Sequence, residues 1–386
     1  MMPVTDTNRL NSLLQDAWRL HQSGHLDVAA RMYRKILAVD SEHAVANDLM
    51  GLYLIQCNQP AEAIEFIQRA IRKAEGNSQS HYNLGVALMD IGEAEEAASA
   101  FGRAAELAPE NLEALNSQAN CLRLLGRVNQ AVPLFERVLS KDGSHPGANC
   151  NLGYTLTRLG RYPEAKQAFE KALNARPDMA EALNGLGELL IAMNEPGKAA
   201  EFLESAILIN PRFAQAHNHL GVAHNKLVDV TQAIREYRTA IEILPTYAEA
   251  HMNLGLTLEQ TGNLEEAARS YTSAIAARGD FIDAHFHLAH LRTHTTTREE
   301  IASMQELWET GKLNQKQREN LAFGLGCGFE KVGDYADAFR FFTKAHQLRS
   351  KKIPFSLSRE AEIFGEIEST FQQQMFVDAE NRGNED

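Results

Sequence analysis

The chain has 386 residues, 44% of them hydrophobic but only 7% aromatic, and a formal net charge of −13. Small and aliphatic side chains in that proportion favour closely packed helices over a sheet-based core. The acidic balance argues against general nucleic-acid binding and against docking on anionic lipid, and leaves room for a local basic patch.

The opening segment MMPVTDTNRL has neither a basic start nor an apolar h-region, so no secretory signal is expected. No stretch approaches about 18 consecutive apolar residues, so no membrane span is expected. Cys57, Cys121, Cys150 and Cys327 lie far apart with no CxxC pair, and they read as reduced, mostly structural thiols. A soluble, cytoplasmic, all-helical protein is expected, with residues 1–9 as a disordered lead.

From residue 10 onward one pattern repeats. Small residues recur every 34 positions at Ala17, Gly51, Gly85, Ala119, Gly153, Gly187, Gly221, Gly255 and Ala289. A second small residue keeps the same step from Ala29 through Ala63, Ala97, Ala131, Ala165, Ala199 and Ala233 to Ala267. A bulky residue follows each of these four positions later, as at Tyr33, Ile67, Phe101 and Phe169. Apolar residues within each unit fall at helical spacing. Gly92, Gly126, Gly160 and Gly262 break two helical runs apart, where a C-cap needs positive φ, and Asn58, Asn194 and Val228 stand at the same place in other units. Pro109, Pro177, Pro211 and Pro245 close several units. Each unit is therefore a helical hairpin, and eight regular units are expected over 10–281. Pro133 lies deep in a second helix, where a kink is possible.

These features resemble the tetratricopeptide repeat family, whose pattern is nearly complete in HYNLGVALMDIGEAEEAASAFGRAAELAPE (81–110). The resemblance implies an all-α fold, a right-handed α-solenoid of about ten hairpins, with the first helix of each unit lining a concave groove that holds extended peptides. Counting each unit from residues 10, 44, 78 and onward, the inward positions are the second, fifth, sixth, ninth and twelfth. There stand Asn83, Asn116, Asn120, Arg123 and Asn151, then Asn184, Asn218, Asn225 and Asn253. A carboxamide offers donor and acceptor together, so such a row suits a peptide main chain without demanding its sequence. The row resembles the asparagine ladder in the solenoid of the O-linked N-acetylglucosamine transferases, although asparagine takes the sixth position only in the third, fifth and eighth units. A solvated polar helix face is the other reading. The basic positions of chaperone-clamp members hold Leu14, Asp48 and Tyr82, so an acidic chaperone tail is not an expected ligand.

Beyond residue 281 the register falters. Residues 282–317 form a degenerate ninth unit, in which Thr297 and Glu300 make a capping box for a helix with the stripe Ile301, Met304 and Trp308. A last unit spans 318–352. Its GLGCGF (324–329) reads as glycines for close helix packing, not as a phosphate loop. A capping or linker helix is expected at 353–376, with Ile363, Phe364, Ile367 and Phe371 on one face, and a polar tail at 377–386.

Asp283, His287, His290 and His294 are spaced so that a continuous helix would put them on one face, a conceivable metal or pH-sensing set. The competing reading is that His217, His251 and His285 replace an aromatic at the fourth position while the others line a polar groove. No catalytic motif appears, so no catalytic residue, metal or cofactor is expected. The segment from Leu321 to Phe371 also resembles the junction of bacterial tetratricopeptide–sulfotransferase proteins, although the sulfate-donor loop of such enzymes is missing from the chain. Two functions follow: a scaffold for a protein or peptide partner, or the substrate-recognition half of such a transferase.

Overall fold

A computed structural model describes residues 4–350. The expected capping helix (353–376) and tail (377–386) lie outside the described residues, which are helical throughout apart from turns. The chain divides into two compact units between Val228 and Asp229.

The first unit begins with α1 (Val4–Gln22) and α2 (Leu26–Val39), then α3 (Ala44–Gln56) and α4 (Pro60–Lys73). It continues through α5 (Ser78–Asp90), α6 (Ala94–Leu107), α7 (Leu112–Leu124) and α8 (Val128–Lys141). Then come α9 (Pro146–Arg158), α10 (Tyr162–Ala175), α11 (Ala180–Ala192), α12 (Pro196–Ile209) and α13 (Ala214–Lys226). Each even-numbered helix packs on the odd one before it and the odd one after it, which is the nearest-neighbour stacking of a solenoid. Helix α1 starts at Val4, so residues 4–9, expected to be disordered, form its first turns: VTDTNR contains neither glycine nor proline to stop them. Pro133 lies inside α8, which runs unbroken from Val128 to Lys141.

The small residues act where the repeat pattern implies. A Cβ added at Gly85 would sit 2.7 Å from the Phe101 ring, and one at Gly153 would sit 2.7 Å from Phe169. At Gly187 the obstacle is Leu203, at 2.5 Å. The bulky residue of the second helix thus fills the space that the missing side chain leaves, and Phe135, Phe169 and Leu203 are fully buried. Between helices, Gly24, Gly92, Gly126 and Gly160 take φ of +72 to +87°. Asn58 and Asn194 reach φ of 58° and 62° at that site, as asparagine tolerates, but the β-branched Val228 is also held there at φ 65°.

The second unit contains α14 (Val230–Ile243), α15 (Ala248–Gln260), α16 (Leu264–Ala277) and α17 (Ile282–His290). After these come α18 (Arg298–Thr310), α19 (Gln315–Lys331) and α20 (Tyr335–Ser350). The same packing rule holds at Gly255, whose added Cβ would lie 2.5 Å from Tyr271. The Thr297–Glu300 capping box forms, with Glu300 N–H donating to Thr297 Oγ1 at 3.2 Å and Thr297 N–H to Glu300 Oε2 at 3.0 Å. A second box, Asn314 with Gln317, starts α19 at Gln315, inside the segment assigned from sequence to the ninth unit. Ile301 and Met304 of α18 join Ile282, Leu321, Leu325 and Phe341 in one core. The glycines of GLGCGF lie within α19, with Gly326 facing Phe342 and Gly328 facing Ile301.

Where the fourth position of a unit holds histidine or asparagine, the side chain takes a role that residue type alone does not reveal. His81 Nε2 donates to the Glu75 carbonyl at 3.0 Å, His217 to Pro211 at 3.2 Å, His251 to Pro245 at 2.9 Å and His285 to Gly279 at 2.8 Å. Asn47 and Asn149 make the same bond through Nδ2, to Ser41 at 2.9 Å and Gly143 at 3.0 Å. In each case the acceptor is the carbonyl six residues upstream, in the turn before the helix, so the tether satisfies a carbonyl that no helix serves. Because the acceptor is a carbonyl, the histidine nitrogen must carry hydrogen, which fixes the tautomer. His217, His251 and His285 thus do more than substitute for an aromatic ring.

Candidate functional site

The carboxamides expected on the inward face take two roles, and Asn151 and Asn184 take both. One role is to join neighbouring repeats. Asn83 is buried, donates to Asp48 Oδ1 at 3.4 Å and accepts from Gln79 at 2.9 Å. Asn151 donates to Asn116 Oδ1 at 3.2 Å, and His219 Nδ1 donates to Asn184 Oδ1 at 2.8 Å. All three inter-repeat bonds span 35 residues, from the fifth position of one unit to the sixth of the next. Much of the hydrogen-bonding capacity expected for a peptide is therefore spent inside the protein. Asn218 is buried on α13, with Asn225 half-buried near the end of that helix. Asn253, half-buried on α15, belongs to the second unit.

The other role is to line a cavity of about 550 Å³ in the first unit. Asn120, Arg123, Asn151 and Asn184 all contribute to its wall. The remaining wall comes from α9, α11 and α13 and from the turns that lead into α11 and α13. Only first helices and their leading turns face this space.

Its chemistry centres on Arg123 and Tyr154. Nε and Nη2 of Arg123 both donate to Asn120 Oδ1, at 3.0 and 2.7 Å, and the guanidinium lies 5.6 Å from the Tyr154 ring centroid. Tyr154 donates to the Glu181 carbonyl at 2.7 Å and accepts from Asn184 at 3.1 Å. Arg158 donates to the Arg123 carbonyl at 3.0 Å from the exposed rim. Burial pushes the Cys150 thiol up to about 12 and raises the Tyr154 hydroxyl, with Cys150 and Glu188 adding to the latter. Burial lowers His219 below the usual imidazole range, against the pull of the Glu188 charge. At neutral pH the cavity's charges are therefore arginine and glutamate.

Asparagine and arginine alone leave out Tyr154, Glu188, His219 and Gln215, yet the inward-position frame contains them: Gln215 is a second position, His219 a sixth, and Tyr154 and Glu188 ninths. Arg158 and Arg176 fall outside that frame.

The histidine set near residue 290 is dispersed. Helix α17 ends at His290 and Leu291 is extended, so Asp283, His287, His290 and His294 share no continuous helix. Asp283 accepts from Asn320 at 2.7 Å, while His287 Nδ1 meets Glu259 Oε2 at 3.2 Å beside the Tyr271 hydroxyl, which donates to it at 2.6 Å. His290 stacks on Phe286 and lies 3.8 Å from Cys327 Sγ, and His294 pairs with Glu300 at 3.0 Å. Among the described residues no group of three or more His, Cys, Asp or Glu is placed to hold a metal ion. His294 stands apart because the chain leaves the helix after His290 to enter the α18 cap, while Asp283, His287 and His290 on α17 each meet a different partner.

The stacked hairpins and their inward wall define a helical-repeat protein. Residues 82–148, 156–220 and 248–281 match the tetratricopeptide repeat, and 229–262 match a TPR repeat, so these segments are tetratricopeptide repeats. Among solved structures, the APC/C hetero-tetramer Cut9–Hcn1 is 17% identical with a TM-score of 0.57, the likeness covering 72% of this chain and 55% of that one. The chain thus spans about half the length of that relative. A tetratricopeptide repeat protein from Parabacteroides merdae ATCC 43184 is 16% identical with a TM-score of 0.56, covering 64% of this chain and 98% of that one. Both likenesses are of fold. Comparison with curated proteins gives no match. No described helix is long and apolar enough to cross a membrane.

Proposed function

We propose that the chain is a protein-interaction scaffold, and that it takes an extended peptide segment of its partner along the inward helices of the first unit. The observation that carries this reading is the cavity of about 550 Å³, bounded only by first helices and their turns and lined by charged, carboxamide and aromatic groups. Asn120, Arg123, Asn151 and Asn184 are the expected residues that serve it directly. Asn116 serves it, in this reading, by holding Asn151, while Asn83, Asn218 and Asn225 extend the inward face of the first unit and Asn253 offers the same type of side chain in the second. Site-specific photo-crosslinking tests the reading. A benzophenone side chain at Gln215, on the cavity, should trap a partner peptide that the same group at Arg137, exposed on α8, does not trap. Equal capture at both positions, or capture at Arg137 alone, would remove the cavity from the binding surface. The second reading, a recognition half for a sulfotransferase, rests on the resemblance of the segment Leu321–Phe371 alone.

A further inference from the structure

We propose that the Arg123 end of the cavity is a receptor for a single carboxylate carried by the bound peptide, a proposal that rests on the peptide-groove reading above. A guanidinium has five N–H donors, and Arg123 directs two of them to one oxygen of Asn120. The side chain is half-buried, and among the described residues no carboxylate reaches it at ion-pair distance; Glu188 acts on it only through the longer-range field. Withdrawing a charge from water without a counter-ion is costly, and burial does lower the Arg123 pKa from its ordinary value. The residue nevertheless has its position fixed by Asn120 below and by the Tyr154 ring beside it. A fixed, under-satisfied cation facing an open cavity is a preorganised anion receptor.

The surrounding charge sets the size of the anion. Arg123, Arg158 and Arg176 stand against Glu181 and Glu188, which leaves an excess of one positive charge in a chain whose net charge is −13. One carboxylate balances that excess. A phosphomonoester dianion would bring a second negative charge toward Glu188 and is disfavoured. The site also differs in place and residue type from the lysine and arginine set of the chaperone-clamp repeats, whose positions here hold Leu14, Asp48 and Tyr82.

A displayed library of random decapeptides, selected on the full chain, tests this. The selected peptides should share an acidic residue at one aligned position. Replacing that residue by glutamine should weaken binding about tenfold or more, the loss of a charge-assisted pair. Arg123→Gln should abolish the difference between the two peptides, the acidic peptide's affinity falling to that of the neutral one. Arg158→Gln, at the exposed rim, should reduce the difference in part and guards against a folding defect in the first variant. Comparing C-terminally amidated with free-acid peptides separates a side-chain carboxylate from a chain terminus. Glu188→Gln should let a phosphoserine peptide bind where the parent protein rejects it. Selected peptides with no acidic preference, or an Arg123→Gln loss equal for both peptides, would overturn the receptor while sparing the groove. Selection of no peptide at all would overturn the groove and the receptor with it.

Discussion

Phe169 touches two repeats at once, because a Cβ on either Gly153 or Gly185 would run into its ring. A ring that is fully buried has little room to retreat. Gly153→Ala should therefore cost about 1–3 kcal/mol, read as a lower urea midpoint. Gly197 is the contrast: it lies in α12 with nothing within 4 Å of an added Cβ, so Gly197→Ala should gain about 0.5–1 kcal/mol. Val228 is a β-branched residue at φ 65° and is 81% exposed, so it has strain without packing in return. Val228→Gly should stabilise the protein by about 1 kcal/mol in the same assay, and a fall in the midpoint would refute the strain. Three histidines set a pH limit. Burial lowers the imidazole pKa of His21, His219 and His285 below its ordinary value of about 6.5, opposed respectively by Gln56, by Glu188, and by the Gly279 carbonyl and Glu300. The unfolded chain binds protons there before the folded one does, so stability is complete above about pH 6.5 and falls as the pH drops below it. Melting temperatures between pH 7.5 and 5.5 should decline, and less so in a variant carrying His285→Leu.

At the scale of the helix, the hairpins were legible in the sequence because three kinds of residue report them independently. Gly153 marks close approach, Gly160 marks positive φ, and Phe169 marks the filled gap. The start of α18 was equally plain, since Thr297 and Glu300 satisfy the first turn by themselves. Thr297→Ala should cost about 1 kcal/mol and fray α18 first, visible as faster amide exchange there. The fourth-position tether was hidden by its chemistry. Histidine and asparagine perform it alike, while Leu115 and Leu183 occupy the same place in their units without a donor, so no single residue type marks it. The cavity was legible in part. Arg123 and the carboxamides stand out by type, but Tyr154 and Glu188 are ordinary residues whose meaning comes only from position. The histidines near residue 290 misled for the opposite reason, since their spacing fits a helix that ends before the last of them.

For the molecule as a whole, contacts confined to neighbours imply that unfolding need not be a single event. The two tryptophans allow a direct measurement, because Trp18 lies in the first compact unit and Trp308 in the second. Trp308→Phe leaves fluorescence reporting the first unit, and Trp18→Phe leaves it reporting the second. The two urea transitions should have different midpoints; coincident curves, also matching the loss of helicity, would show one cooperative block.

The tether that spans six residues and the inter-repeat bond that spans 35 both depend on the length of the connecting turn and hardly on its composition. A one-residue insertion before α9 would carry Asn149 away from its carbonyl and Asn151 away from Asn116 in the same stroke. The connecting turns therefore work as gauges. Where these bonds form, the side chains of the turn are free to drift while its residue count is held fixed, and that is a mechanical ground for the equal length of those units.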